Sequence, residues 1–159
     1  MLTLGAMTQL ARKHVVLLSG GLDSTVNLYA AHGEGGVGLA LTVNYGQRAF
    51  SKELEAAQKS CQHLDIPHKT IDLSWFKQFT KTSLVNAAEA VPQGQEVSID
   101  DRQVSQSTAE RVWVPNRNGI LLNVAAGFAE GLGLNSVVPG FNLEEAATFP
   151  DNSKSFMDA

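Results

Sequence analysis

The 159-residue sequence is short of several things at once, and each shortage removes a class of function. It has one cysteine, Cys61, which rules out an internal disulfide and suits a reducing cytoplasm. Positive charge is scarce, with 12 Lys and Arg against 16 Asp and Glu and a net charge of −4. Phosphate backbones reward clustered Lys and Arg, so a broad nucleic-acid surface is not expected. No apolar run reaches the roughly eighteen residues of a membrane span. His14, His32, His63 and His68 show no metal-ligand spacing and read as scattered surface or edge residues. Residues 1–13 contain a weak apolar stretch without a cationic start or a cleavage site, so they read as a loose leader rather than a signal peptide. There is no internal repeat. What remains is a globular composition, 43% apolar and 18% charged, in a length that fits one domain with a real core.

The chain is organised around Ser19-Gly20-Gly21-Leu22-Asp23-Ser24. Val15 to Leu18 lead into it as a short buried strand, and Thr25 to Ala31 follow as a helix. Two adjacent glycines open backbone conformations closed to other residues and leave no Cβ in the way of a ligand. Asp23 or Ser24 is expected to cap the helix, leaving first-turn N–H groups aimed into the bend. Such a terminus carries about half a positive charge and suits a pyrophosphate. The serine hydroxyls are expected to add donors. A strand–Gly-Gly–helix turn is common in α/β proteins, but this one lacks the lysine of the Walker loop and so is not a fragment of that motif.

Taken in order, His14–Ser19 is the first strand, Ser24 to about His32 the first helix, and Gly33, Gly35 and Gly36 its end. Val37–Asn44 is a second buried strand, and Arg48–Leu64 an amphipathic helix whose apolar face includes Cys61 as a core residue. Pro67 opens a third strand, His68–Leu73, and Trp75 to about Asn86 holds a short helix or two. From Ala87 to Arg111 periodicity disappears, which predicts a polar insertion lying outside the sheet as a flexible flap before the last strand. Gly119–Gly131 is a well-buried helix, Asn135–Gly140 a fourth strand and Phe141–Pro150 a loop, after which Asp151 caps a helix near the chain's last residue. The alternation implies an α/β fold, a doubly wound parallel sheet with helices on both faces.

Ser-Gly-Gly-Leu-Asp-Ser resembles the PP-loop of the ATP pyrophosphatases, which split ATP into AMP and pyrophosphate while adenylating a substrate. Three further blocks narrow the resemblance: Tyr45-Gly46-Gln47-Arg48 followed by Glu53, Val114-Pro115-Asn116-Arg117-Asn118, and Gly140-Phe141-Asn142 with Phe149-Pro150-Asp151. Together they are similar to the QueC (ExsB) family of 7-cyano-7-deazaguanine synthases, from about His14 to the last residue. The fold this implies is Rossmann-like, of the adenine nucleotide alpha hydrolase type, with residues 14–159 as a PP-loop domain incomplete at its C-terminus.

The resemblance implies a cytoplasmic amidoligase and nitrile synthase of queuosine biosynthesis. Its substrate would be 7-carboxy-7-deazaguanine, converted with ammonia and ATP to the nitrile preQ0 through adenylated intermediates. Leu18, Ser19, Gly20, Gly21, Leu22, Asp23, Ser24, Thr25, Val26, Asn27 and Leu28 would form the ATP block, with Mg²⁺ bridging the phosphates and Asp23. Asp23, Arg48 and Arg117 are the catalytic candidates. Tyr45, Gln47, Arg48, Arg117, Asn118, Asn142 and Asp151 are the substrate-binding ones. Guanidinium forks match carboxylate and phosphate alike, although each arginine also reads as a surface charge or a structural ion pair. Tyr45 is a stacking residue or a core or rim aromatic, Asn118 and Asn142 are ligands or helix-capping or turn residues, and Asp151 is a metal or substrate ligand or a cap. The implied partners are small molecules, with no nucleic acid and no membrane; a homodimer stays open.

The sequence also departs from the family pattern. Ala49 stands where the family has His, Asn116 where it has Gly, and Asn152 where it has Cys. The family's C-terminal segment, with a lysine-containing helix and four zinc-binding cysteines, has no counterpart here, so zinc ligands are absent and the ending at Asp158-Ala159 reads as a truncation. Two other readings follow: a nucleotide-binding remnant without ligase chemistry, or another ATP pyrophosphatase, such as a tRNA-thiolating or an NAD- or GMP-synthetase-like enzyme. The acidic balance weighs against tRNA, and Tyr-Gly-Gln-Arg against the others.

Overall fold

The structure is a computed structural model that describes residues 14–80, 82, 112–141 and 149–159. The leader, the polar insertion from Ala87 to Arg111, Asn142 and the loop from Asn142 to Thr148 lie outside the described residues. Four strands form one sheet: β1 (His14–Leu17), β2 (Val37–Asn44), β3 (His68–Asp72) and β4 (Ser136–Val138), in the order β3-β2-β1-β4. Every pairing is parallel, with Val16 opposite Ala40 and Val138, and Val43 opposite Ile71.

Three long helices cover the sheet: α1 (Leu22–Glu34), α2 (Phe50–His63) and α3 (Arg117–Leu132). Strand alternation divides the core between them. Val16, Leu18 and Ala40 pack with Leu28 and Ala31 of α1 and with Ala57 and Cys61 of α2. Val15, Leu39 and Leu41 pack with Ala125 and Ala129 of α3. From β1 the chain steps to β2 and β3, then returns to β4 on the other side of β1. With right-handed crossovers, that reversal places α3 on the opposite face from α1 and α2. The doubly wound sheet expected from the sequence is therefore present.

Several details differ from expectation. β3 is a polar edge strand with Lys69, Thr70 and Asp72 exposed, not a continuous apolar one, and it has one described neighbour, β2. α1 starts at Leu22 and runs through Gly33 to Glu34, and of the expected stop glycines only Gly36 takes a left-handed conformation, φ 92°. α3 begins two residues before Gly119 and buries one face only, since Leu132 is 56% exposed. Asp151 does not cap the final helix, Lys154–Asp158. Ser153 does, its Oγ accepting from the Phe156 N–H, while Asp151 sits in a preceding 3-10 turn, Pro150–Asn152. Trp75 lies in another such turn, Ser74–Gln78.

Thr42, in the middle of β2, is almost fully buried and donates its hydroxyl proton to the Leu18 carbonyl at 2.7 Å. That leaves its oxygen as acceptor for His68 Nε2 at 2.8 Å, which fixes the proton on that ring nitrogen. Burial lowers the His68 pKa and keeps the ring neutral. Thr42 thus pins the last residue before the Ser19–Ser24 loop.

Candidate functional site

A cleft of about 320 Å³ opens at the carboxyl ends of the strands, the place where open α/β sheets bind ligands. Its floor is apolar, with Leu17, Leu18, Leu41, Val43 and Leu121. Its rim is polar. Ser19, Gly21, Asp23 and Ser24 form one wall, Tyr45, Gln47, Glu53, Arg117 and Asn118 another, and Pro139, Gly140, Phe141 and Asn152 close the set.

The loop wall is held by local contacts. Gly21 is the N-cap of α1 and no side chain caps the helix, which corrects the expectation for Asp23 and Ser24. Both lie in its first turn. Ser24 donates its hydroxyl to the Gly21 carbonyl at 3.1 Å and accepts from the Ser19 N–H at 3.2 Å. The two serine oxygens are 3.0 Å apart, so with the Ser24 proton spent on Gly21, Ser19 is the donor of that pair. The hydroxyl protons are consumed inside the loop, and the donors left for a ligand are first-turn backbone N–H groups. Gly20 has φ +76°, and a Cβ there would stand 2.5 Å from the Glu53 carbonyl and 2.9 Å from the Ala56 Cβ. It is the packing of α2 on the loop that demands glycine here. A Cβ on Gly140 would likewise press on the Ser24 Cβ at 3.1 Å.

The opposite wall is built from distant segments. Asn116 precedes α3 with φ 52°, ψ 27°, a left-handed conformation that asparagine tolerates better than most residues. The Asn found in place of the family's Gly therefore preserves the turn. Buried Asp151 accepts the Asn118 N–H at 3.1 Å, and Asn118 Nδ2 donates to the Asp151 carbonyl at 3.2 Å. Arg117 Nε donates to Asn118 Oδ1 at 3.1 Å, and its guanidinium carbon lies 6.0 Å from the Tyr45 ring centroid. Burial raises the Tyr45 pKa, the Arg117 guanidinium opposes the rise and the Glu53 carboxylate adds to it. The phenol stays protonated at neutral pH.

Leu18, Ser19, Gly21, Asp23, Ser24, Tyr45, Gln47, Arg117 and Asn118 are thus brought together on the cleft. Gly20, Leu22, Thr25, Val26, Asn27, Leu28, Arg48 and Asp151 are not on its walls. Leu28 is fully buried in the core, whereas Leu22 and Val26 are exposed on α1. Asn27 donates to the Pro139 carbonyl at 2.8 Å and ties α1 to the loop after β4. Arg48 is exposed. Gln47 is buried with its amide fully engaged: Nε2 donates to the Val43 carbonyl and to Glu53 Oε2, and Oε1 accepts from the Tyr45 N–H. It braces the wall rather than offering bonds to a ligand. Glu53 was not among the sequence candidates for contact, although its position after Tyr-Gly-Gln-Arg was the available signal.

Among the described residues, no group of three or more His, Cys, Asp and Glu could hold a metal ion. Asp23 offers an oxygen donor at the cleft, which fits Mg²⁺ carried on phosphates by one carboxylate. Zinc does not fit. Cys61 is a core thiol that burial pushes up to about 11, and one thiol does not make a tetrahedral set. No helix among the described residues is long and apolar enough to cross a membrane.

Residues 13–159 match the family model described as "Queuosine biosynthesis protein QueC". The 7-cyano-7-deazaguanine synthase of Bdellovibrio bacteriovorus is 60% identical over 150 residues, covering 92% of this chain and 64% of that protein. That of Desulforamulus reducens is 53% identical over 142 residues, covering 89% and 62%. That of Pelotomaculum thermopropionicum is 46% identical over 147 residues, covering 92% and 66%. The chain spans less than two thirds of the length of each of these relatives, and it belongs to the QueC family.

Proposed function

We propose that the chain carries the ATP-binding cleft of a 7-cyano-7-deazaguanine synthase, in which a carboxylated deazapurine is adenylated, amidated and dehydrated. The observation that carries this reading is the convergence of two helix N-termini, α1 and α3, with Arg117 and Asp23 around one cleft. A carboxylate is a poor acyl donor until one oxygen belongs to a good leaving group. The substrate carboxylate attacks the α-phosphorus of ATP and releases pyrophosphate. Ammonia then displaces AMP from the acyl adenylate, giving the amide. A second ATP activates the amide oxygen, and loss of AMP and a proton leaves the nitrile.

In this scheme the first-turn N–H groups of α1 face the developing pyrophosphate charge, where preorganised donors are most effective. Arg117 holds an anionic oxygen of the substrate carboxylate, positioned by Asn118 and Asp151. Mg²⁺, when bound, neutralises phosphate charge beside Asp23. The apolar floor keeps water from the acyl adenylate.

Isothermal titration of Mg-ATP, together with chromatography of reactions containing 7-carboxy-7-deazaguanine, ammonia and ATP, tests the reading. Substrate-dependent AMP release is expected, and Asp23→Ala should weaken Mg-ATP binding at least about tenfold through a lost charged contact. A chain that binds no ATP, or a variant that binds as well as the parent, would refute it.

A further inference from the structure

Glu53 lines the cleft, yet among the described residues its carboxylate has one hydrogen-bond partner, Gln47 Nε2 at 2.8 Å, and no ion pair. A carboxylate offers about four acceptor positions, so most of this one stays unused. Its placement is rigid. Gln47 is buried and bonded at both ends of its amide, to Val43 and Tyr45, and the Glu53 backbone is locked over Gly20. A half-buried acceptor held in place on the wall of a cleft demands donors from whatever enters. Phosphate cannot supply them, because it brings only acceptors. The N–H edge of a purine-type ring can.

We propose that Glu53 is the specificity residue of this cleft, accepting hydrogen bonds from ring N–H or exocyclic amino groups of a purine-type ligand. This rests on the reading that the cleft takes such rings. Two ligands of the proposed reaction carry the required edge, the adenine of ATP and the 2-amino, N1–H edge of the deazaguanine. Glu53→Gln separates recognition from folding, since its amide oxygen still accepts from Gln47 while the charge and one acceptor oxygen are lost.

The test is calorimetric binding of four probes to parent and variant at fixed Mg²⁺: ATP, purine riboside triphosphate (which has neither the 6-amino group nor an N1–H), 7-carboxy-7-deazaguanine and its 2-desamino analogue. The parent should prefer one amino-bearing member over its partner by at least about tenfold, the value of a hydrogen bond to a charged group. Glu53→Gln should erase that preference in one pair, which then names the ring, while leaving the other pair and the melting temperature unchanged. A variant that discriminates as the parent does in both pairs overturns the assignment to Glu53 but leaves the proposed function standing. A parent that binds none of the four overturns both.

Discussion

The two helix starts that face the cleft are made in opposite ways. At α1 the turn is closed by neighbours in sequence: Ser19, Gly21 and Ser24 bond to one another, and no side chain caps the helix. At α3 the turn is closed by Asp151, 33 residues away, through the Asn118 N–H. The first offers backbone donors on an exposed bend. The second offers a side chain, Arg117, held by a half-buried hydrogen bond to Asn118 and lying near the Tyr45 ring. A site that must hold phosphates and also orient a reacting carboxylate has use for both constructions. Bare N–H groups tolerate several anion poses, whereas a braced guanidinium selects one.

Breaking the first start should have the larger effect. Gly20→Ala places a Cβ against the Glu53 carbonyl at a left-handed φ. The conformation costs about 1–2 kcal/mol and the overpacking about 1–3 kcal/mol. Urea unfolding should therefore show a loss of about 2–5 kcal/mol, and an unchanged midpoint would mean that α2 does not lock the loop. Breaking the second should cost less. Asp151→Ala leaves the buried Asn118 N–H without its acceptor, a penalty of about 1–3 kcal/mol by the same measurement. It should also weaken substrate binding through Arg117 while ATP affinity changes little. Equal loss of both would show that the two starts do not act separately.

The smallest effect concerns the residue between the two starts. Tyr45 has its folded-state pKa raised above the unfolded one, chiefly by burial. Above about pH 10 the unfolded phenol ionises while the folded one keeps its proton. The unfolded state then binds fewer protons, and stability falls as pH rises. Denaturation midpoints measured from pH 8 upward should decline more steeply for the parent than for Tyr45→Phe. Parallel declines would mean that the phenol is not buried enough to matter.

The strands, the first two helices and the phosphate-type loop were legible because their signals are local. Val37–Asn44 is a run of apolar residues with β-branching, and Gly20-Gly21 can only be a bend. What misled was equally local. Asp23 and Ser24 are good capping types, but the bond network places Gly21 at the cap. Asp151 reads as a cap for the helix that follows it, and yet it braces the helix before it.

By itself, then, the sequence determined the α/β class, the loop at the end of β1 and the resemblance to the QueC family through four short blocks in order. Composition and periodicity act over a few residues, and so does the conformational freedom of glycine. Only the tertiary structure decided that Gly20 is required by α2, that Gln47 is a brace, that Glu53 faces the cleft and that Asp151 belongs to α3. Each of these depends on a contact between elements that the chain brings together from a distance. The energy of a buried hydrogen bond or a backbone clash is set by its partner, and no residue type names its partner in advance.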